Sequence, residues 1–189
     1  MGKSEYKKVS EAKKKAKEQL YKRSYPGASA DHNPMLIVLA PQGKNSGKER
    51  ELLFQLLEGL AVLPCEVVVV DDDEPSDDLK RPSGKFTWVN NRGAQAEHDT
   101  EQYLLCADMA LVFDEDHNML NRLMGHGVVI VGHDSSPFLQ NYHPNEETGN
   151  SFTFAHWNPW DMFRAVVRAC ETYRFPYDWG NIVRGILKK

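Results

Sequence analysis

Apolar residues along this chain of 189 residues fall into short continuous runs that alternate with stretches of helical spacing. The runs 35–39 (MLIVL), 66–70 (EVVVV), 85–89 (KFTWV), 109–113 (MALVF), 128–131 (VVIV) and 151–154 (SFTF) have the length of strands. Most lack polar alternation, which predicts strands covered on both faces, as in a parallel sheet. Between them, Leu52, Leu53, Leu56, Leu57 and Leu60 share one helical face, residues 97–105 form a helix, and residues 118–124 form a short one with a glycine stop. Asn158 is placed to cap a helix that starts at Pro159, repeats Met162, Phe163, Val166, Val167 and Cys170 on one face, and runs to about Tyr173. A last helix over 178–187 packs Trp179, Ile182, Val183 and Ile186. Alternation of this kind predicts an α/β fold: a Rossmann-like, doubly wound three-layer sandwich with a mainly parallel sheet of five or six strands.

Charge adds an N-terminal element. Residues 1–25 carry nine Lys/Arg against three Asp/Glu, a balance of +6, whereas the remainder carries −10. Val9, Ala12, Ala16 and Leu20 recur at helical spacing within that basic segment, which favours a solvated helix over 4–23 docking one apolar stripe over a polyanion-binding arm. Residues 1–33 then form a basic helix and linker, and 34–189 the main domain. No apolar run reaches the length of a membrane span, and the N-terminus lacks the apolar segment of a secretory signal. Three scattered cysteines in apolar surroundings suit reduced thiols in the cytoplasm or another reducing compartment such as a plastid stroma. No nucleic-acid or membrane partner is expected.

Several catalytic patterns fail on spacing. In PQGKNSGKE, Gly43 and Gly47 enclose three residues where a phosphate-binding P-loop needs four, and Glu49 stands where its hydroxyl should follow Lys48. Lys44 and Lys48 remain able to serve a diphosphate in another geometry. Seven histidines include no pair at an established ligand spacing, so no metal site is expected. Ser135 and Ser136 are not in a nucleophile elbow, and no catalytic residue is assigned. The acidic tract 71–78 reads as a solvated loop. Asp114, Glu115 and Asp116 are more informative, because three carboxylates at a strand's carboxyl end do not serve packing, and ligands of such sheets gather there. A carboxylate can accept hydrogen bonds from sugar hydroxyls, and the amides of Met119 and Leu120 at the next helix start can hold a phosphate.

The order ADMALVF…MLNRLMGHG, VVIV, TGNSFTF, NPWDMFRAVVRACETYR and DWGNIVRGILK resembles the C-terminal, nucleotide-sugar-binding domain of glycogen and starch synthases, retaining glycosyltransferases of the GT-B type. The resemblance spans about Lys13 to the C-terminus. It implies a domain that binds UDP- or ADP-glucose for glucosyl transfer to an α-glucan, without cofactor or obligatory metal, and that needs the family's N-terminal domain as a partner and is not catalytic alone. It also implies roles: Lys44 or Lys48 on the diphosphate, Asp114 on the sugar, and the amides of Asn118, Met119 and Leu120 with Ser135 and Ser136 lining the site. The chain departs from the family at several of these positions. Asp114 replaces a glutamate, His117 falls near a family glycine, Ser135, Ser136 and Pro137 replace a Thr-Gly-Gly loop, and the first turn has Ala40 or Pro41 in place of an arginine. The alternative is a non-catalytic module that keeps the fold and acts as a scaffold or glucan-binding regulator, with Trp157, Trp160 and Tyr142 exposed to stack on sugar rings.

Overall fold

The computed structural model describes residues 2–24, 33–42, 46–72, 86–92, 96–113 and 116–188. Helix α1 (Gly2–Ser24) precedes β1 (Met35–Leu39), α2 (Gly47–Leu60), β2 (Glu66–Asp71), β3 (Phe86–Asn90), α3 (Ala96–Cys106), β4 (Met109–Val112), α4 (His117–Gly125), β5 (Val129–His133), β6 (Ser151–Phe154), α5 (Pro159–Tyr173) and α6 (Pro176–Ile186). The six strands pair in the order β3-β2-β1-β4-β5-β6, every pair parallel. This is the order of a doubly wound nucleotide-binding sheet, which reverses between β1 and β4.

The two sheet faces are covered by different helices. Leu36, Val38, Met109, Leu111, Val129 and Val131 point into a core shared with α2, α5 and α6. Ile37, Val68, Ala110, Val112 and Ile130 face the opposite core with Leu104 of α3 and Leu120 and Leu123 of α4. Adjacent strand residues thus enter separate cores, which is why the strands read as unbroken apolar runs. The stripe of α5 is Met162, Ala165, Val166, Ala169 and Cys170, while Phe163 packs over Gly59. Small residues occupy positions that a count of large hydrophobics passes over.

Local signals set the helix ends. The Asn158 side chain accepts from the Asp161 amide at 2.9 Å, and Pro159 opens α5. Asn158→Ala is expected to cost about 1 kcal/mol, read as a lower urea midpoint at unchanged slope. Helix α4 ends where Gly127 adopts φ +66°, returning the Gly127 amide to Met124 O and the Val128 amide to Leu123 O.

The basic N-terminal helix docks through part of the expected stripe: Leu20 is buried and Val9 and Ala16 are half-buried, but Ala12 is exposed and Tyr21 is buried in addition. Its lysines take part as well. Lys17 and Asp108 form a buried ion pair, and Lys13 donates to the Ala107 carbonyl. Cys65, Cys106 and Cys170 are all buried, and none is in a disulfide among the described residues. No helix among the described residues is long and apolar enough to cross a membrane.

Candidate functional site

Parallel pairing carries the loops after β1, β4 and β5 to one rim of the sheet. Lys48 lies in the first turn of α2 after β1, Asn118, Met119 and Leu120 in the first turn of α4 after β4, and Ser135 and Ser136 just after β5. Lys48 and the α4 start flank the point where strand order reverses, where such sheets open a crevice, and Ser135 and Ser136 lie one strand farther along the rim. Lys44 and Asp114 fall outside the described residues.

Lys48 is exposed and has no acidic partner among the described residues. Beside it, Glu49 has a carboxylate oxygen, Oε2, that is buried without a hydrogen-bond partner among those residues. Arg50 also lies at this rim and was not singled out by the sequence. Its guanidinium grips the buried Asp71 carboxylate through two bonds of 3.0 and 2.7 Å, so its charge is already matched. An arginine in the first turn of a helix, with an aspartate closing the neighbouring strand, was the signal available.

The start of α4 is partly occupied by its own cap. Asp116 Oδ1 accepts from the Asn118 amide at 3.0 Å, and the Leu120 amide bonds the Asp116 carbonyl at 2.9 Å. An anion using these two amides must displace the cap.

At the end of β5, His133 Nε2 is 3.1 Å from the Ala155 carbonyl. A carbonyl only accepts, so neutral His133 carries its proton on Nε2. Its Nδ1 then accepts from the Ser135 amide at 3.2 Å and the Ser135 hydroxyl at 2.7 Å. The Ser135 amide and hydroxyl are thus both directed at His133. Ser136 differs: it is 3% exposed, and its Oγ has no hydrogen-bond partner among the described residues. A buried hydroxyl left in that state is costly.

The rim continues into aromatic side chains. Trp157, just past β6, stacks on the His133 ring at 5.1 Å and 3°, with Phe113 and Phe154 also against it. The His133 and Phe154 backbones pair across β5 and β6, so their carboxyl ends bring the cluster together. Trp157 is 42% exposed and Trp160, in the first turn of α5, is 80% exposed. Tyr142 does not join them. It is buried and donates to Asp178 at 2.9 Å; burial and that carboxylate push its pKa up to about 12. A tyrosine within a polar run was expected at the surface, but the run folds back and covers it.

No family model and no curated protein matches this sequence. Among solved structures, the catalytic domain of starch synthase IV from Arabidopsis thaliana, bound to ADP and acarbose, matches with a TM-score of 0.68 at 13% identity. The match covers 94% of this chain and 39% of that one. The chain is thus a Rossmann-like α/β domain similar in fold to part of a starch synthase catalytic domain, as its segment order leads one to expect.

Proposed function

We propose that the chain is the donor-binding half of a glycosyltransferase of the glycogen and starch synthase type, taking UDP- or ADP-glucose at the carboxyl rim. The observation that carries this reading is that Lys48, the α4 start and Ser136 each follow a parallel strand on the carboxyl rim of a sheet whose fold is similar to that of an enzyme solved with ADP. In this reading Lys48 pairs with the diphosphate, Met119 and its neighbours in the first turn of α4 hold phosphate oxygens, and Ser136 bonds a hydroxyl or phosphate oxygen. Asp114 holds the sugar. Glucosyl transfer requires a second domain, so the chain alone binds donor without turnover.

Isothermal titration with ADP, UDP and their glucose conjugates tests it. Saturable binding is expected, weakened about tenfold in Lys48→Met, the loss of about 1.4 kcal/mol. Ser136→Ala should separate two effects: the free protein becomes more stable by about 1 kcal/mol as a buried unpaired hydroxyl is removed, while donor affinity falls. No saturable binding at millimolar ligand would end the reading.

One observation favours the alternative module. Trp157 and Trp160 are both exposed on the rim that Glu49 makes less hospitable to phosphate. Co-sedimentation with glycogen in the absence of nucleotide affinity, lost in Trp160→Ala, would select that alternative.

A further inference from the structure

At the opposite rim, where the amino ends of the strands lie, α1 leaves a cavity of about 270 Å³ against α5 and α6. It is smaller than the ~300–1,000 Å³ of drug-sized sites, so it suits a ligand with a single ring. Tyr6, Ser10 and Lys13 of α1 line it together with Asp108, Tyr173 and Trp179. The Tyr173 and Trp179 rings meet edge-on at 5.1 Å, giving an apolar corner.

The charges around this cavity do not balance. Asp108 is taken: its Oδ2 accepts from Lys17 and, at 2.9 Å, from the Met35 amide. Among the described residues, Lys13 hydrogen-bonds neutral partners, the carbonyls of Ala107 and, at 3.5 Å, Gly127. Two ammoniums thus face one carboxylate, and the Arg184 guanidinium lies over the Tyr6 ring at 5.3 Å nearby. Burial, with Lys17 adding to it and Asp108 opposing it, pushes the Lys13 ammonium down to about 8. A cationic ligand would be repelled, and a neutral apolar one would leave Lys13 poorly compensated.

We propose that this cavity is a second binding site, for a small organic carboxylate bearing one apolar ring, with the carboxylate paired to Lys13 and the ring against Tyr173 and Trp179. Such a ligand ties α1 to α6 and so strengthens the docking of the N-terminal helix. The proposal is independent of the donor-binding reading, since the two sites lie at opposite ends of the strands.

The test is an NMR titration of the full chain with benzoate, and with benzamide as its neutral isostere, following the Trp179 indole N–H. Benzoate is expected to shift that signal saturably and to raise the unfolding midpoint, while benzamide does neither. Lys13→Met should weaken benzoate at least tenfold. Because that variant also removes a contact of α1, Ser10→Trp provides a second check: Ser10 is exposed at the mouth, and the indole fills the cavity while leaving Lys13 intact, so benzoate binding should again be lost. No saturable shift with millimolar benzoate, equal binding of benzamide, or undiminished binding by Ser10→Trp would each overturn the proposal.

Discussion

Asp108→Ala is expected to destabilise the protein by about 3–5 kcal/mol and to lower the unfolding midpoint by roughly 6–20 °C. The Asp108 carboxylate sits between β4 and α1 with its side chain 6% exposed, and the Lys17 side chain is 8% exposed. Removing the acid leaves a buried ammonium with the Tyr173 ring 5.9 Å away, and it takes from the Met35 amide its acceptor. Burial opposes the Lys17 charge, yet the Asp108 carboxylate holds its pKa above the ordinary lysine value. Because that pKa is raised, the pair's contribution is intact on the alkaline side up to about 10.5 and fades only as pH rises beyond it. The double variant Lys17→Met/Asp108→Asn should recover most of the loss. It removes both charges and keeps an oxygen for the Met35 amide, and apolar replacement of a buried pair is often close to neutral. Urea unfolding of Lys17→Met, Asp108→Asn and the double variant against the parent chain measures the cycle. A loss in Asp108→Ala below about 1 kcal/mol, the range of a surface pair, would show that the pair is not buried in solution.

The second large effect is expected at Gly149. Its φ is +102°, and a Cβ there would meet Asn141 O at 2.3 Å and Tyr142 Cα at 2.6 Å. Those neighbours are backbone and cannot swing aside. The segment is pinned there because the Asn150 and Ser151 amides both reach Gln140 O, the Tyr142 amide reaches Ser151 O, and His143 and Thr148 form an antiparallel bridge. Gly149→Ala should cost about 3 kcal/mol or more, since it combines an unfavourable backbone region with direct overlap. The consequence extends to function. This turn sets where β6 begins, and β6 carries Phe154 and Trp157 to the carboxyl rim. Near-ultraviolet circular dichroism should therefore lose aromatic signal along with stability, whereas Gly47→Ala, where a Cβ meets nothing within 4 Å, should change little.

Much of the architecture was legible because it is written locally. The strands β1 and β6 lie where their apolar runs lie, and the other strands begin or end within one or two residues of theirs. Asn158 and Pro159 mark the start of α5 without reference to anything distant. Parallel pairing followed from buried runs joined by helices. The long-range polar contacts were not legible: Lys17 and Asp108 are 91 positions apart, and no period or motif announces such a pair. The same holds for Arg50 with Asp71 and for the His133–Trp157 stack, which exist only once neighbouring strands are aligned.

At the candidate site, the rim could be read but the state of its groups could not. That Lys48, Asn118, Met119, Leu120, Ser135 and Ser136 share the rim follows from their each lying after a parallel strand. Which amides and hydroxyls are already engaged depends on side chains such as Asp116 and His133, whose rotamers the sequence does not encode. Among the described residues, Ser136 therefore emerges as the hydroxyl with an unmet bond, and Ser135 as the one already committed to His133.

The most direct test of donor binding at this rim is an amide-resolved NMR titration with ADP. Shifts are predicted to concentrate at Lys48, at Asn118 to Leu120 and at Ser136, with Lys13 and Gly127 at the far rim unmoved. Shifts centred on the far rim, or none at millimolar ADP, would contradict it.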